Sequence, residues 1–212
     1  MFEIFRKNKF FIIPYLVTLF FVTIILIVFS KAEIHIFINQ FHNTFADIFF
    51  KYFTYLGDGI AIAIFIVLLL FVRYRYTLIM LGSVFFATIV VQLFKRVLYA
   101  GEPRPKLFFK DIQELYFVPD VRVHLINSFP SGHTSTAFGL FFMAALITKN
   151  NYLKLLFFIA ALLVAVSRMY LSQHFLVDTY FGSLIGTTFT GLMFYFGMKW
   201  SNLRLDNSLL KR

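Results

Sequence analysis

Three short polar clusters interrupt an otherwise apolar chain and hold most of its candidates for chemistry. They are Lys95 with Arg104-Pro105, Pro130-Ser131-Gly132-His133, and Ser167-Arg168 with His174 and Asp178. The three cations could hold a phosphoryl group, since a guanidinium group binds one through paired hydrogen bonds. Ser131 and Gly132 open an apolar segment, and the free N–H groups at the start of a helix favour an anion. Together these residue types predict a phosphate-binding site.

The histidines and the aspartate of these clusters are the residue types that nucleophilic phosphoryl transfer requires. His174 and Asp178 are four residues apart, so on a helix their side chains would share a face. A carboxylate that accepts from one ring nitrogen fixes the tautomer and leaves the other nitrogen free to attack phosphorus. His133 could donate a proton to the leaving alkoxide and later accept one from water. The pattern predicts hydrolysis through a phosphohistidine on His174.

The composition places these clusters in a membrane protein. Of the 212 residues, 60% are hydrophobic and only 14% are charged, whereas soluble domains carry about 25% charged residues. Apolar segments predict six transmembrane helices, at residues 11–29, 59–72, 77–94, 133–148, 155–167 and 175–198. We therefore expect an all-α fold, a polytopic bundle of about six transmembrane helices. It would form a single domain over residues 1–212, with the catalytic motifs between 95 and 178.

Crossing parity predicts that the three clusters meet on one side of the membrane. The first cluster follows the third segment, the second opens the fourth, and the last joins the fifth to the sixth. Lys and Arg number eleven on the side of the termini and nine on the other, and six of the nine lie in the long loop 95–132. Long loops weigh less in the positive-inside rule, so we expect cytoplasmic termini. The site would then face outward from the cytoplasmic membrane.

The first outer loop predicts an amphipathic helix at the membrane interface. Across residues 34–53 the aromatic and aliphatic side chains of Phe37, Phe41, Phe45 and Ile48 recur at helical spacing, and the polar residues fall largely elsewhere. A helix packed against the bundle is the alternative interpretation.

Composition also bounds the partners. Cys is absent, which excludes disulfides, thiol catalysis and a thiolate metal site. The net charge of +10 is interpreted as a positive-inside bias with contact to anionic headgroups, so membrane lipids and not nucleic acid are the expected partners. No metal site is predicted, because three cations beside the two histidines would repel a metal ion. We expect no cofactor and see no sign of an obligatory protein partner.

Other polar and small residues predict structural roles. Three histidines lack matching partners and are expected at the surface or interface, namely His35, His42 and His124. Asp58 lies between two glycines and predicts a turn and a helix N-cap. The glycines at 182 and 186 predict close helix packing.

The three clusters resemble the motifs of the type 2 phosphatidic acid phosphatase superfamily, whose members include membrane lipid phosphate phosphatases and vanadium haloperoxidases. Its motif Pro-Ser-Gly-His is intact at 130–133, and its motif Ser-Arg, five residues, His, three residues, Asp is intact at 167–178. Its first motif has six residues between Lys and Arg-Pro, whereas eight follow Lys95 here, so Arg96 is an alternative cation. The resemblance implies a nucleophile, His174, an acid, His133, an orienting carboxylate, Asp178, and a phosphate clamp of Lys95, Arg104, Ser131, Gly132 and Arg168.

The resemblance and the membrane setting together predict a metal-independent lipid phosphate phosphatase that hydrolyses a phosphoric monoester or acid anhydride. Its expected partner is a phosphorylated lipid, and four are compatible: undecaprenyl pyrophosphate, phosphatidylglycerophosphate, phosphatidic acid and lipid A 1-phosphate. A lipid-linked phosphotransferase with the same phosphohistidine is one alternative, since the residues do not distinguish water from another acceptor. A membrane transporter or channel whose charges line a pathway is the alternative from another class.

Overall fold

Helices dominate the computed structural model, which describes residues 2–210 and Phe2 by its backbone alone. The α-helices are α1 (Phe2–Lys7), α2 (Lys9–Val28), α3 (Lys31–Asn39), α4 (Thr44–Phe53), α5 (Gly59–Val72), α6 (Tyr74–Leu93), α7 (Pro105–Phe108), α8 (Gly132–Ile147), α9 (Asn151–Tyr170) and α10 (Leu176–Gly197). A π turn at Phe94–Leu98 extends α6, and 3₁₀ turns lie at Thr54–Gly57 and Leu203–Asp206.

Each of the six apolar segments forms a helix, namely α2, α5, α6, α8, α9 or α10. Among residues 2–210, three helices are long and apolar enough to cross a membrane, and the bent pair of α4 and α5 would make a fourth. Helix α8 has 16 residues, about 24 Å at 1.5 Å per residue, which is short of a hydrocarbon core of about 30 Å. The all-α membrane bundle is confirmed, and the count of six crossings stays a prediction.

The single amphipathic helix predicted over 34–53 is wrong, because the chain forms two helices there. Residues 40–43 separate α3 from α4, and the Asn43 side chain caps α4 by accepting from the backbone N–H of Ala46 at 3.0 Å. Helix α3 buries Ile34 and His35 against the bundle, whereas Phe45 of α4 is 79% exposed. An interfacial position therefore stays a prediction for α4 alone.

Small residues bring α8 and α10 into close contact, as the glycine pair predicts. A Cβ on Gly186 would lie 2.1 Å from the carbonyl oxygen of Ser135, and one on Gly182 would lie 2.5 Å from that of Ser131. Because neither helix could keep this position with a larger residue, the glycines fix the start of α8 against the start of α10.

A buried arginine at the start of α6 ties the end of α10 to the C-terminal segment. Arg75 Nε donates to Asp206 Oδ1 at 2.7 Å, and its Nη1 donates to the carbonyl oxygens of Gly197 and Trp200 at 2.8 and 2.7 Å. Its Nη2 donates to the carbonyl oxygen of Asn202 and to Asp206 Oδ2. All five N–H groups of this guanidinium are therefore used within the fold.

Candidate active site

The three polar clusters meet where the end of α6, the start of α8 and the α9–α10 junction approach one another. The buried imidazole of His174 interacts electrostatically with Arg104, Lys95, Arg168 and His133, so every cluster contributes to one site. The fold positions them by helix ends: the π turn carries Lys95, the first turn of α8 carries His133, and the last turn of α9 carries Arg168.

His174 lies in the junction of residues 171–175, one residue before the N-cap of α10. Its side chain is almost fully buried, its backbone N–H donates to the carbonyl oxygen of Arg168 at 3.1 Å, and its Nδ1 lies 3.3 Å from Asp178 Oδ2. The expected contact therefore forms, although only Asp178 lies on the helix. Burial, with the charges of Arg104, Lys95 and Arg168, holds the pKa of His174 well below its ordinary value. The imidazole is thus neutral, the form in which a ring nitrogen can attack.

Asp178 both caps α10 and orients His174. Its Oδ2 accepts from the backbone N–H of Phe175 at 2.9 Å and from the hydroxyl of Ser128, in addition to the imidazole. Its own backbone carbonyl accepts from the N–H of Ser131 at 2.9 Å. Through its carboxylate Asp178 fixes the junction that carries His174, and through its backbone carbonyl it fixes the start of α8 to the same helix end.

The start of α8 offers backbone donors to an anion. Ser131 is the N-cap, and its Oγ accepts from the N–H of Thr134 at 3.3 Å. The N–H groups of Gly132 and His133 belong to the first turn, where a helix supplies no acceptor of its own. The half-buried His133 also borders a cavity of about 180 Å³ that is lined by small residues of α5, α6, α8 and α10.

Two buried arginines face the site with different numbers of bonds. Arg104 Nε donates to the carbonyl oxygen of Ile126 at 2.9 Å, and its Nη1 donates to that of Gln173 at 3.0 Å. Arg168 Nη1 donates to Thr54 Oγ1 at 2.7 Å, whereas within residues 2–210 its buried Nε has no hydrogen-bond partner. An unpaired buried donor on a cation is available to an anionic ligand.

The structure favours Lys95 over Arg96 as the third cation. Lys95 is half-buried and interacts electrostatically with Arg104, Arg168 and Asp178. Arg96 is exposed, and its Nε donates to Gln92 Oε1 at 2.9 Å on the outside of the helix. The π turn at Phe94–Leu98 holds one residue more per turn than an α-helix, and so accommodates part of the longer spacing to Arg104.

Three residues that contact the site were not predicted from the sequence. Thr54 binds Arg168, Ser128 binds Asp178, and Gln173 binds Arg104. Gln173 adjoins His174 and Ser128 precedes the Pro-Ser-Gly-His motif, so their proximity to the motifs was a signal. Thr54 gave none, because 114 residues separate it from its partner. Within the described part of the chain, no group of three or more His, Cys, Asp or Glu residues could hold a metal ion.

The remaining histidines depart in part from their expected surface positions. His124 is exposed, as predicted. His35 is 2% exposed, and His42 pairs with Asp47 at 3.0 Å under two tyrosine rings, so both predictions were wrong. Partners from distant segments, which local sequence does not show, bury these rings. The predicted N-cap is confirmed, since Asp58 accepts from the N–H of Gly59 at 2.6 Å.

Comparisons with known proteins agree with this geometry. The family model described as PAP2 superfamily matches residues 76–201, and no curated protein sequence gave a match. The chain is similar to the crystal structure of Aquifex aeolicus LpxE, with a TM-score of 0.70 and 25% identity over 79% of this chain and 97% of that one. It is also similar to a transmembrane PAP2 type phosphatidylglycerolphosphate phosphatase from Bacillus subtilis, with a TM-score of 0.65 and 20% identity over 93% and 99% of the two chains. The latter likeness shows the fold alone.

Proposed function

The chain belongs to the PAP2 superfamily, and we propose that it dephosphorylates a lipid through a phosphohistidine on His174. The family and the structural neighbours support a membrane lipid phosphatase, which is a phosphoric monoester hydrolase. One observation carries the finer proposal: a buried His174–Asp178 pair lies beside three cations, and one of these, Arg168, keeps an unpaired N–H group. A desolvated cluster of positive charge of this kind is stabilised by binding an anion.

In the first step, His174 attacks the phosphorus of the bound lipid phosphate. Its Nδ1–H donates to Asp178, so the lone pair on Nε2 forms the N–P bond while the P–O bond to the lipid breaks. The imidazole becomes positively charged in the phosphoenzyme, and Asp178 stabilises that charge. His133, protonated once the phosphate anion lies beside it, donates its proton to the leaving lipid oxygen. The products of this step are a lipid alcohol and phosphohistidine.

In the second step, water hydrolyses the phosphoenzyme. His133, now neutral, accepts a proton from the water as its oxygen attacks phosphorus, and the N–P bond breaks toward His174. The imidazole returns to its neutral form, and His133 is again protonated for the next substrate. Inorganic phosphate leaves with the same charge as the phosphate group of the lipid that bound.

The clamp stabilises the phosphoryl oxygens in both steps. Lys95, Arg104 and Arg168 supply positive charge, and the N–H groups at Gly132 and His133 supply donors that need no reorganisation during the reaction. Ser131 holds the start of α8 through its capping bond, and Gly132 leaves room above this turn, where the nearest atom to a Cβ would be 3.9 Å away. These five clamp positions and the three catalytic residues form the complete proposed site.

Orientation and the lipid itself also belong to the proposal. With the termini in the cytoplasm, six crossings would place the site at the outer face of the cytoplasmic membrane, where lipid phosphates are directly accessible. The cavity bordered by His133 lies on the side of the acid, and it would therefore receive the leaving lipid alcohol.

Phosphate release by purified protein tests this proposal. The assay offers phosphatidylglycerophosphate, phosphatidic acid, undecaprenyl pyrophosphate and lipid A 1-phosphate separately, each with a chelator present. At least one lipid should release phosphate, His174→Ala should abolish release, and Tyr152→Ala, at an exposed residue at the opposite end of α9 from Arg168, should not. Quenching in alkaline detergent, in which phosphohistidine is stable, should trap ³²P from labelled substrate on the wild-type protein and not on His174→Ala. Turnover by His174→Ala would overturn the mechanism.

A further inference from the structure

His35 is a buried histidine that the proposed mechanism does not use, yet it contacts the junction that carries the nucleophile. Its Nε2 lies 3.2 Å from the Oγ of Ser172. Its ring stacks on Phe109, with centroids 5.7 Å apart, and meets the edge of Phe175 at 5.4 Å. Ser172 and Phe175 lie on either side of His174, so one imidazole from α3 contacts both flanks of the nucleophile.

The backbone at Ser172 needs such support. Its φ of +51° lies in the left-handed region, which residues other than glycine rarely adopt. The residue is fully buried, and its N–H donates to the carbonyl oxygen of Met169 at 2.9 Å. A strained turn of this kind persists only where surrounding contacts hold it, and His35 contacts its hydroxyl group.

His35 itself is a costly residue for a purely apolar core. Burial, with a smaller contribution from His42, lowers the pKa of His35 to about 4, so the ring is neutral. Among the described residues its Nδ1 has no hydrogen-bond partner, although it is buried. Phenylalanine would fill the same space without an unpaired nitrogen. The hydrogen bond to Ser172 is what histidine adds at this position.

We propose that His35 is a positioning residue, which holds Ser172 and Phe175 so that the ring of His174 is aimed at phosphorus. This inference rests on the proposed function, because it takes His174 as the nucleophile. His35 acts through two contacts. Its bond to Ser172 fixes the turn before His174, and its ring fixes Phe175, whose N–H donates to Asp178. Helix α3 is thus part of the catalytic framework.

The test separates hydrogen bonding from packing with His35→Phe and His35→Gln. The first keeps an aromatic ring and loses the bond, and the second keeps a nitrogen donor near the Nε2 position. Since a misplacement of about 1 Å can cost about 100-fold in rate, His35→Phe should lower the rate of phosphoenzyme formation about 10- to 100-fold with KM within about twofold. His35→Gln should recover part of that rate. The melting temperature of His35→Phe should stay within about 4 °C of the wild type, because loss of the unpaired Nδ1 offsets the unpaired Ser172 hydroxyl.

Ser172→Ala provides a second route to the same bond. It should lower the rate as His35→Phe does, and the double variant should be no slower than either single variant, because both remove one interaction. Tyr152→Phe, at a residue that is 87% exposed at the opposite end of α9 from Arg168, is the control and should react at the wild-type rate. A wild-type rate in His35→Phe, or multiplied losses in the double variant, would overturn the inference. Activity in His174→Ala would instead overturn the proposed function, so the two failures are distinguishable.

Discussion

Two buried arginines, Arg75 and Arg168, show how one residue type can be structural at one end of the bundle and available for a ligand at the other. Twenty residues separate Arg75 from the site cation Lys95 along α6 and its π turn, about 30 Å at the rise of a helix. The five N–H groups of Arg75 all donate within the fold. Arg168 donates to Thr54, and its Nε has no partner within residues 2–210.

The two arginines differ in how many acceptors and carboxylates the fold supplies to each guanidinium group. Both are at most 6% exposed, so exposure does not separate them, and both are cations in an apolar chain. Arg75 pairs with the carboxylate of Asp206 and with three helix-end carbonyls, which leaves nothing for a ligand to add. Arg168 interacts electrostatically with the cation Arg104 and, more weakly, with Asp58, and a phosphate would supply an acceptor for its unpaired N–H group. Between these two arginines, the unpaired donor of Arg168, and not burial or charge, is what leaves room for a ligand.

The largest expected effect follows from removing Arg168. Arg168→Ala should lower kcat/KM for the lipid substrate by about 1,000-fold, since deletion of a single donor to a transition-state anion costs about 100- to 1,000-fold and a charge is lost as well. Phosphate release under subsaturating substrate measures it, beside the melting temperature of the purified variant. If Arg168→Ala lost activity only in proportion to its loss of folded protein, Arg168 would be structural and would not differ from Arg75.

Arg75 should show the opposite behaviour. Arg75→Met should lower the free energy of unfolding by about 2–3 kcal/mol, because the end of α10 and Asp206 lose a charged donor. Its kcat/KM per folded molecule should stay within about twofold of the wild type. Denaturant titration in detergent gives the first quantity, and active-site titration with labelled substrate normalises the second. A specific loss of catalysis in this variant would contradict the separation of the two ends.

Thr54 tests whether the partner of Arg168 matters for its aim. Thr54→Val keeps the shape of the side chain and removes the hydroxyl that accepts from Nη1. We expect kcat/KM to fall about 10-fold, the loss associated with about 1.4 kcal/mol of transition-state stabilisation. Thr18→Val is a matched control, because that hydroxyl donates to the carbonyl oxygen of Pro14 within α2. Unchanged kinetics in Thr54→Val would mean that Arg168 is held by packing alone.

The smallest expected effect concerns pH. Because the pKa of His174 is held well below its ordinary value, its imidazole should stay neutral as the pH falls through about 6.5. Protonation would remove the nucleophile only below that folded-state pKa, so kcat/KM should show no acid limb from His174 between about pH 7.5 and 6. The substrate phosphate also titrates near pH 6, and ³¹P NMR of the substrate alone allows that contribution to be divided out. A remaining fall in kcat/KM as the pH drops through about 6.5 would show that burial and the cations do not lower the pKa of His174.

Local sequence was sufficient for the class of fold and for the candidate residues that the structure brings together. Hydropathy located all six apolar helices, since each is apolar along its own length, and the two intact motifs identified His133, His174 and Asp178 by residue type and spacing. The break between α3 and α4 was also readable in principle, because Asn43 is a strong N-cap residue. The helical spacing of aromatic residues across 34–53 hid this break, because both helices carry aromatic residues on one face.

Local sequence did not show which residues contact one another across the bundle. Neighbouring helix positions such as Lys95 and Arg96 differ by about 100° around the axis, and only the packed bundle shows that Lys95 faces the site. The bond of Thr54 to Arg168 joins residues 114 apart, and that of His35 to Ser172 joins residues 137 apart.

The sequence by itself determined which residue types could perform phosphoryl chemistry in a membrane, because hydropathy and motif spacing are properties of short segments. The tertiary structure alone decided which buried arginine is satisfied and which histidine contacts the turn before His174. Hydrogen-bond saturation is a property of atoms brought together from distant segments, and it depends on helix rotation and contact that no single segment contains.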